Sequence, residues 1–262
     1  MSYFLHDLDA IERGQEEITL DISTYSREEI ALLWRGLGRT QTQRLTVYSL
    51  KSPGNLLPSA APTSTCSLSS LISSSSCHEH AVVLEEGEEQ TMPLLSPVLL
   101  HGRITYLDLS SNLLDHRYVQ DLAIGLASNR TLVSLDLGYN VLGDLGARVL
   151  AHSVLKCNTS LQVLILVGNH LTDSGADELV EGLQFNASLR GLYVLGNRIS
   201  PRALGRVEHA LHLARCRAAV LALRTAQEVP KSGLRSQIKR LPRDLVRLVF
   251  TSLTGKTAAI KN

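Results

Sequence analysis

Aromatic residues are scarce in this sequence of 262 residues: 3 Phe, 1 Trp and 7 Tyr make up 4% of it, while hydrophobic residues make up 44%. A core with this composition must be mostly aliphatic, which suits a stack of similar layers better than an irregular globule. Paired cysteines are also missing, because the four cysteines are scattered and form no CxxC motif. This spacing argues against a fold built on disulfides and is typical of a reducing compartment.

Long apolar runs are absent as well. Asp7 and Asp9 stand where a secretory signal would need its apolar core, so we expect no export signal. The longest charge-free stretch, residues 52–78, is rich in serine and proline and could not span a bilayer. We therefore expect a cytoplasmic location, with the nucleus as the alternative, and no association with a membrane.

Charge is divided unevenly along the chain, although the net charge is only +1. Residues 201–262 carry 13 Lys and Arg against 3 Asp and Glu, whereas residues 1–200 carry 13 basic and 22 acidic residues. A basic end attracts phosphates, but Phe250 is the only aromatic residue in 201–262, so stacking on bases has little support. We do not expect nucleic acid as a partner.

A short motif with leucines two and three residues apart recurs four times. The copies are ITYLDLSSNLL (104–114), LVSLDLGYNVL (132–142), LQVLILVGNHL (161–171) and LRGLYVLGNRI (189–199), and they begin 28, 29 and 28 residues apart. The spacing predicts a short strand whose leucines point inward and stack on those of the next copy. Each copy contains an asparagine (Asn112, Asn140, Asn169 or Asn197) whose amide can bond backbone groups that the strand leaves unpaired.

Each strand motif is followed by a segment with helical spacing, for example Leu145, Val149 and Leu150 as one inward stripe. The predicted N-caps of these helices are Asp115, Asp144, Asp173 and Ser200, with Pro201 in a first helical turn. The turns back to the strands read NRTL, NTSL and NASL, beginning at residues 129, 158 and 186. They formally match glycosylation acceptors, which we attribute to the turn consensus itself.

Units of 28 or 29 residues with strand, asparagine, helix and turn resemble the ribonuclease-inhibitor-like class of leucine-rich repeats over residues 100–217. The same class is found in NOD-like receptors and in the Ran GTPase-activating protein. The resemblance implies an α/β leucine-rich repeat solenoid, with a curved parallel sheet on the concave side and helices on the convex side. It also implies a binding scaffold rather than an enzyme.

The composition predicts four regions. They are a degenerate N-terminal repeat or cap (1–55), a serine-rich disordered insertion with an acidic run (56–95), the leucine-rich repeat solenoid (96–217), and a basic helical cap or tail (218–262). In the first region, ITLDISTYSREEIALLWRGLG predicts a strand and then a helix that begins with the capping box Ser26-x-x-Glu29. The CHEH sequence in the insertion lacks a second ligand pair, so we expect no metal and no cofactor.

Side chains between the inward leucines should point to the opposite side of each strand and line the concave sheet in columns. The central column is Asp108, Asp136, Ile165 and Tyr193. The flanking columns are Tyr106, Ser134, Val163 and Gly191 on one side, and Ser110, Gly138, Val167 and Leu195 on the other. Carboxylates therefore face one half of the sheet and apolar groups the other, and contiguous exposed apolar surface often marks a binding site.

The concave columns thus supply the predicted partner-binding residues. These are Tyr106, Asp108, Asp136, Val163, Ile165, Val167, Tyr193 and Leu195. We expect the partner to be another protein that brings basic and apolar groups, and not a small-molecule substrate. The competing interpretation is that the C-terminal tail folds back and covers the apolar half. No catalytic residue is predicted, because an open sheet offers no desolvated pocket and no histidine falls in these columns.

Two further functions remain as alternatives. The segment LPRDLVRLVFTSL (241–253) resembles the opening helix of an F-box, although too few residues follow it to complete that small helical bundle. A complete match would make the chain a substrate-receptor adaptor of a ubiquitin ligase. The resemblance to the Ran GTPase-activating protein suggests a GTPase-activating scaffold, although the long acidic tail expected of that family is absent.

Overall fold

The computed structural model describes residues 3–50 and 95–225, in which short strands alternate with helices. The strands are β1 (Glu17–Asp21), β2 (Arg44–Tyr48), β3 (Tyr106–Asp108), β4 (Ser134–Asp136), β5 (Val163–Ile165) and β6 (Gly191–Tyr193). The helices are α1 (Tyr3–Glu12), α2 (Arg27–Leu37), α3 (Ser96–His101), α4 (His116–Ser128), α5 (Gly143–Val149), α6 (Asp173–Leu183) and α7 (Pro201–Thr225), and α5 continues as a π-helix, Leu150–Leu155.

All six strands form one parallel sheet in the order of the chain. The inward leucines of the four motifs are direct neighbours, with Leu107 opposite Leu135, Leu135 opposite Leu164, and Leu164 opposite Leu192. Each helix packs against the helix of the next unit. The predicted α/β leucine-rich repeat solenoid is confirmed.

The core is a continuous aliphatic layer between the sheet and the helices. Leu107, Leu135 and Leu164 are fully buried, and Leu192 near the end of the sheet is 9% exposed. Burial of one such side chain contributes about 1.5–3 kcal/mol. Since every unit repeats the same inward positions, the low aromatic content does not prevent a well-filled core.

An asparagine ladder joins neighbouring units at the ends of the strands. The side chain of Asn140 accepts hydrogen bonds from the N–H groups of Asn112 (3.0 Å) and Leu114 (2.9 Å), and it donates to the carbonyl of Leu109 (3.0 Å). Asn112, Asn169 and Asn197 make equivalent bonds. The structural role predicted for these asparagines is confirmed.

A second ladder lies where the helices turn back to the strands. Asn158 donates to the carbonyls of Leu126 (2.7 Å) and Asn129 (3.1 Å), one unit earlier. Asn129 and Asn186 are bonded in the same way, and all three asparagines are at most 4% exposed. Their amide nitrogens therefore donate hydrogen bonds within the fold, as expected for a turn consensus.

Helix capping follows the sequence at some positions and not at others. Asp115 accepts the N–H groups of Arg117 and Tyr118, and Ser200 accepts that of Ala203 just after Pro201 begins α7, so these two predicted caps are confirmed. The capping box of Ser26 and Glu29 is also confirmed.

The predicted N-caps Asp144 and Asp173 are wrong. Asp144 bonds forward to the next unit, where it accepts the hydroxyl of Thr172 at 2.6 Å and the N–H of Gly175 at 3.0 Å. Asp173 likewise accepts the N–H and hydroxyl of Ser200. Both carboxylates stabilise the first turn of the following helix, because stacking brings that turn within reach of their oxygens.

The predicted inward stripe of α5 is wrong at Leu145, which is 45% exposed. Gly146, Ala147 and Val149 are buried instead. The helix then widens into the π-helix Leu150–Leu155. This unit is the one with 29 residues rather than 28, and a π-turn accommodates one extra residue without breaking the helix.

The N-terminal strands β1 and β2 extend the sheet by two units, and Leu95–His101 lead into β3. The predicted insertion (56–95) lies outside the described residues except for Leu95, and the predicted tail (218–262) lies outside them after Thr225. The division into four regions therefore stays a prediction. Within residues 3–50 and 95–225, no helix combines the length and apolarity needed to cross a membrane.

Candidate protein-binding face

The strand register brings the predicted columns together. Asp108 lies opposite Asp136, Asp136 opposite Ile165, and Ile165 opposite Tyr193. In the flanking column Tyr106, Ser134, Val163 and Gly191 are neighbours in the same way. Val167 and Leu195 follow two residues after these strands, and the Gly168 N–H bonds the Leu195 carbonyl at 3.0 Å. We call this surface the concave face.

The concave face continues onto the two N-terminal strands, which the column analysis of the sequence missed. Thr46 lies opposite Asp108 and Thr19 opposite Thr46, while Arg44 lies opposite Tyr106. The alternation of polar and apolar residues in EITLD and RLTVY was a usable signal for this extension. The face therefore spans six strands rather than four.

Asp108 and Asp136 form a pair of neighbouring carboxylates at the middle of the face. The Oδ1 atom of each accepts the N–H two residues later, from Ser110 at 2.9 Å and from Gly138 at 2.8 Å. Partial burial raises the pKa of Asp136, and the charge of Asp108 raises it further, while the Gly138 N–H partly offsets both effects. A positive group placed between them would relieve this repulsion.

Arg44 contributes little free positive charge to the face. Its guanidinium lies 4.6 Å from the centre of the Tyr106 ring, and its Nε lies 3.5 Å from a carboxylate oxygen of Glu17. Burial, and then the nearby charges of Asp108 and Asp136, raise the pKa of the Tyr106 phenol. The N-terminal half of the face is therefore polar with an acidic balance.

The C-terminal half of the face is apolar. Tyr193 is 51% exposed and Leu195 65% exposed, and Val163, Ile165 and Val167 are half-buried between them and the carboxylates. Tyr139, which the predicted columns did not include, is 65% exposed, and its N–H donates to the Val167 carbonyl at 2.7 Å. Its ring lies so close to Gly168 that a Cβ on residue 168 would come within 2.9 Å of the ring. We call Tyr139, Val163, Ile165, Val167, Tyr193 and Leu195 the apolar patch.

A group of potential metal ligands lies on the helical side instead. Nitrogen and oxygen atoms of His152, Glu178 and Glu181 fall within 4.8 Å of one another. The Lys156 ammonium contacts two members of this group, at 2.9 Å from His152 Nδ1 and 3.0 Å from Glu181 Oε1, and Arg148 lies 3.7 Å from Glu178. The group is therefore a charge-balanced network that joins two helices. Among the described residues, the concave columns contain no histidine or cysteine.

The repeats match known leucine-rich repeat sequences. A family profile described as Leucine Rich repeat matches residues 128–151 and 157–180. NACHT, LRR and PYD domains-containing protein 14 of Mus musculus is 30% identical over 145 residues, which cover 55% of this chain and 15% of that protein. Protein 3 of the same series in Rattus norvegicus is 38% identical over 85 residues, which cover 32% of this chain and 8% of that protein.

Protein 9C of Mus musculus is 29% identical over 188 residues, 64% of this chain and 19% of that protein. The chain thus spans less than a fifth of the length of these relatives. Among solved structures, leiomodin-1 actin-binding site 2 aligns with a TM-score of 0.48 and 14% identity, over 87% of this chain and 99% of that one. The tropomodulin C-terminal domain of Caenorhabditis elegans aligns with a TM-score of 0.44 and 12% identity, over 85% of this chain and 99% of that one.

The repeat geometry and the sequence relatives together define the class. The chain carries leucine-rich repeats, and its sequence is similar to parts of NACHT, LRR and PYD domains-containing proteins. The repeat architecture indicates, at the general level, a scaffold for protein interaction.

Proposed function

We propose that this chain is a non-enzymatic scaffold that binds a partner protein on the concave face. The observation that carries the proposal is the apolar patch next to Asp108 and Asp136. Parallel strands hold both groups in fixed register, so the surface is preorganised and loses little conformational entropy on binding. Exposed apolar surface bordered by polar groups is the usual composition of a protein-binding site.

The chemistry of the face indicates the chemistry of the partner. Aromatic and aliphatic side chains would pack on Tyr193 and Leu195, and a lysine or arginine would approach Asp108 and Asp136. The raised pKa of Asp136 supports this arrangement, because a nearby cation would stabilise the ionised carboxylate. We therefore expect a partner segment in which apolar residues are flanked by basic ones.

The test uses the full chain as bait for proteins from a cell lysate, identified by mass spectrometry. The variant Ile165→Glu introduces a carboxylate into the half-buried centre of the apolar patch. The control Leu145→Glu makes the same kind of change on the helical side, where residue 145 is 45% exposed. We expect a set of proteins to be captured by the unchanged chain and by Leu145→Glu, and to be lost with Ile165→Glu.

A peptide-display selection on the same three chains tests the expected partner chemistry. Enriched peptides should combine apolar residues with Lys or Arg and should not bind Ile165→Glu. Equal melting temperatures must accompany the loss of binding, since unfolding would also abolish capture. Identical capture by both variants, or enrichment of acidic peptides, would contradict the proposal.

The competing occupant of the face is the chain's own basic tail, which lies outside the described residues after Thr225. Charge reversal of Arg243 and Arg247 in the full chain distinguishes the two. If the tail covers the apolar patch, this variant should capture partners more strongly than the unchanged chain.

The ubiquitin-ligase adaptor and the GTPase-activating scaffold stay predictions. The F-box-like segment 241–253 lies outside the described residues, and nothing within residues 3–50 and 95–225 favours either function.

A further inference from the structure

A groove of about 480 Å³ runs along the helical side of the molecule, between α6 and α7. One wall is a stripe of α7 with helical spacing: Arg202, Arg206, His209 and Leu213. The other wall is formed by Val180 of α6 and by Gln184, the C-cap of that helix. The stripe and the final lining residue, Arg217, extend over about 22 Å at the usual helical rise, or about four turns.

The groove is open beside residue 205 because that residue is a glycine. The corresponding positions of the three preceding units carry Gln120, Arg148 and Asp177. A Cβ added to Gly205 would meet no atom within 4 Å, whereas one added to Gly182 would come within 2.8 Å of the Ala151 backbone. Packing therefore requires the glycine at 182 but not at 205, where a helical glycine lowers helix stability without relieving any contact.

The floor of the groove is apolar and its rim is positively charged. Val180, Ala210 and Leu213 provide aliphatic surface, and Arg202 is exposed at one end without an ion-pair partner among the residues that the structure describes. Arg206 is paired with the exposed Asp177 at 2.6 Å. A ligand with carboxylates could pair with Arg202 directly and compete with Asp177 for Arg206.

We propose that this groove binds an acidic amphipathic helix of a partner protein. An apolar stripe with three- and four-residue spacing would pack on Val180, Ala210 and Leu213, as in other helix-in-groove complexes. Glutamate or aspartate at the edges of that stripe would pair with Arg202 and Arg206. This surface lies on the helices and is separate from the concave face, so the proposal does not depend on the function assigned to that face.

The chain has two charged segments of its own, the acidic run that ends at Glu89 and the basic residues 226–262, and neither fits the groove as well as an acidic helix of a partner would. The acidic run ends at Glu89, six residues before Leu95, and six residues span at most about 21 Å. From α3 to α6 there are three interhelical spacings of about 8–10 Å each, so Glu89 at the end of the run cannot reach the groove. Residues 226–262 carry eight Lys and Arg against two Asp and Glu, and like charge opposes their binding here.

The experiment selects helix-forming peptides of about 15 residues, long enough for the four-turn groove, by display on the full chain. The variant Gly205→Leu, which fills the groove without changing its charge, serves as counter-selection. We expect peptides with an apolar stripe and flanking Asp or Glu to be enriched on the unchanged chain only. Circular dichroism should show that Gly205→Leu melts no lower than the unchanged chain.

Fluorescence polarisation with the strongest selected peptide then tests the contacts. We expect Arg202→Glu to weaken binding about tenfold or more, and a peptide with Lys in place of the flanking Glu to recover binding to that variant. Ile165→Glu on the concave face is the matched control and should bind the peptide as the unchanged chain does. Enrichment of basic peptides, equal selection on Gly205→Leu, or no effect of Arg202→Glu would overturn the proposal.

Discussion

Arg217 donates a hydrogen bond from its Nε to the backbone carbonyl of Asn186, over 3.2 Å, and another from its Nη2 to the carbonyl of Leu183. One unit earlier, the amide of Asn186 donates to Asn158 and Leu155 in the same way. Arg217 thus takes the place of the next asparagine and ends the second ladder. Its burial lowers the pKa of the guanidinium, but the two carbonyls favour the charged form as a donor.

This capping role predicts that Arg217→Ala destabilises the chain. The carbonyls of Leu183 and Asn186 belong to buried residues, and a buried acceptor without a donor costs about 1–3 kcal/mol. Urea denaturation of the full chain, followed by circular dichroism, measures the difference. Arg190→Ala is the control, because Arg190 is exposed and its substitution should change the stability by no more than about 0.5 kcal/mol. Equal midpoints for the two variants would rule out the capping role.

The first ladder predicts that the cost of losing an asparagine depends on burial. Asn140→Ala removes bonds to Asn112, Leu114 and Leu109 at a site that is 2% exposed, so we expect a loss of about 3 kcal/mol or more. Asn197 makes similar bonds at a half-exposed site, where water can replace the amide. Asn197→Ala should therefore cost less, and the reverse order in thermal denaturation would refute the explanation.

Substitution by alanine should change the stability of the protein in opposite directions at two glycines of neighbouring helices, Gly182 and Gly205. At Gly182 a Cβ would come within 2.8 Å of the Ala151 backbone, so Gly182→Ala forces α6 away from the preceding helix and should cost about 1–3 kcal/mol. At Gly205 the same Cβ meets open space, and Gly205→Ala should stabilise α7 by about 0.5–1 kcal/mol. The melting temperatures of the two variants should lie on opposite sides of the unchanged chain, and a shift of the same sign would disprove this account.

Asp121 predicts a dependence of stability on pH. Partial burial, and then the charge of Asp115, raise the pKa of Asp121 to about 6. Between its ordinary value near 4 and about 6, the folded state keeps a proton that the unfolded state has lost, so this group makes stability fall as pH rises. The contribution becomes constant above about pH 7.

Asp121→Asn removes the ionisable carboxyl group and with it the loss of stability that its ionisation causes. Because Asp121 is partly exposed and screened by solvent, we expect a gain of only about 1 kcal/mol at pH 7 and little change at pH 4. Guanidinium denaturation at the two pH values measures the difference. Glu208→Gln, on an exposed surface of α7, is the control for the removal of a surface carboxylate. A gain for Asp121→Asn that is larger at pH 4 than at pH 7 would contradict the assigned sign.

Sequence patterns correctly predicted the features that depend on residues close together along the chain. Side chains in a strand alternate between two faces, and a nearly constant repeat length aligns equivalent positions, so the concave columns could be read from the four motifs. Asp115 caps its own helix for the same reason, since donor and acceptor are two and three residues apart. Tyr139 was missed because it lies in the loop after the strand, where the alternation ends.

Sequence patterns did not predict the contacts between neighbouring repeat units. Asp144 and Asp173 have the residue type of N-caps, yet stacking of the next helix offers them hydroxyl and N–H donors about one unit further along the chain. Arg217 does not resemble an asparagine, but it reaches the same pair of carbonyls. The groove beside Gly205 likewise exists only because two helices lie at a particular distance from each other. Periodicity along the chain specifies the repeating layer, whereas the partners of each polar group depend on distances between layers that only packing sets.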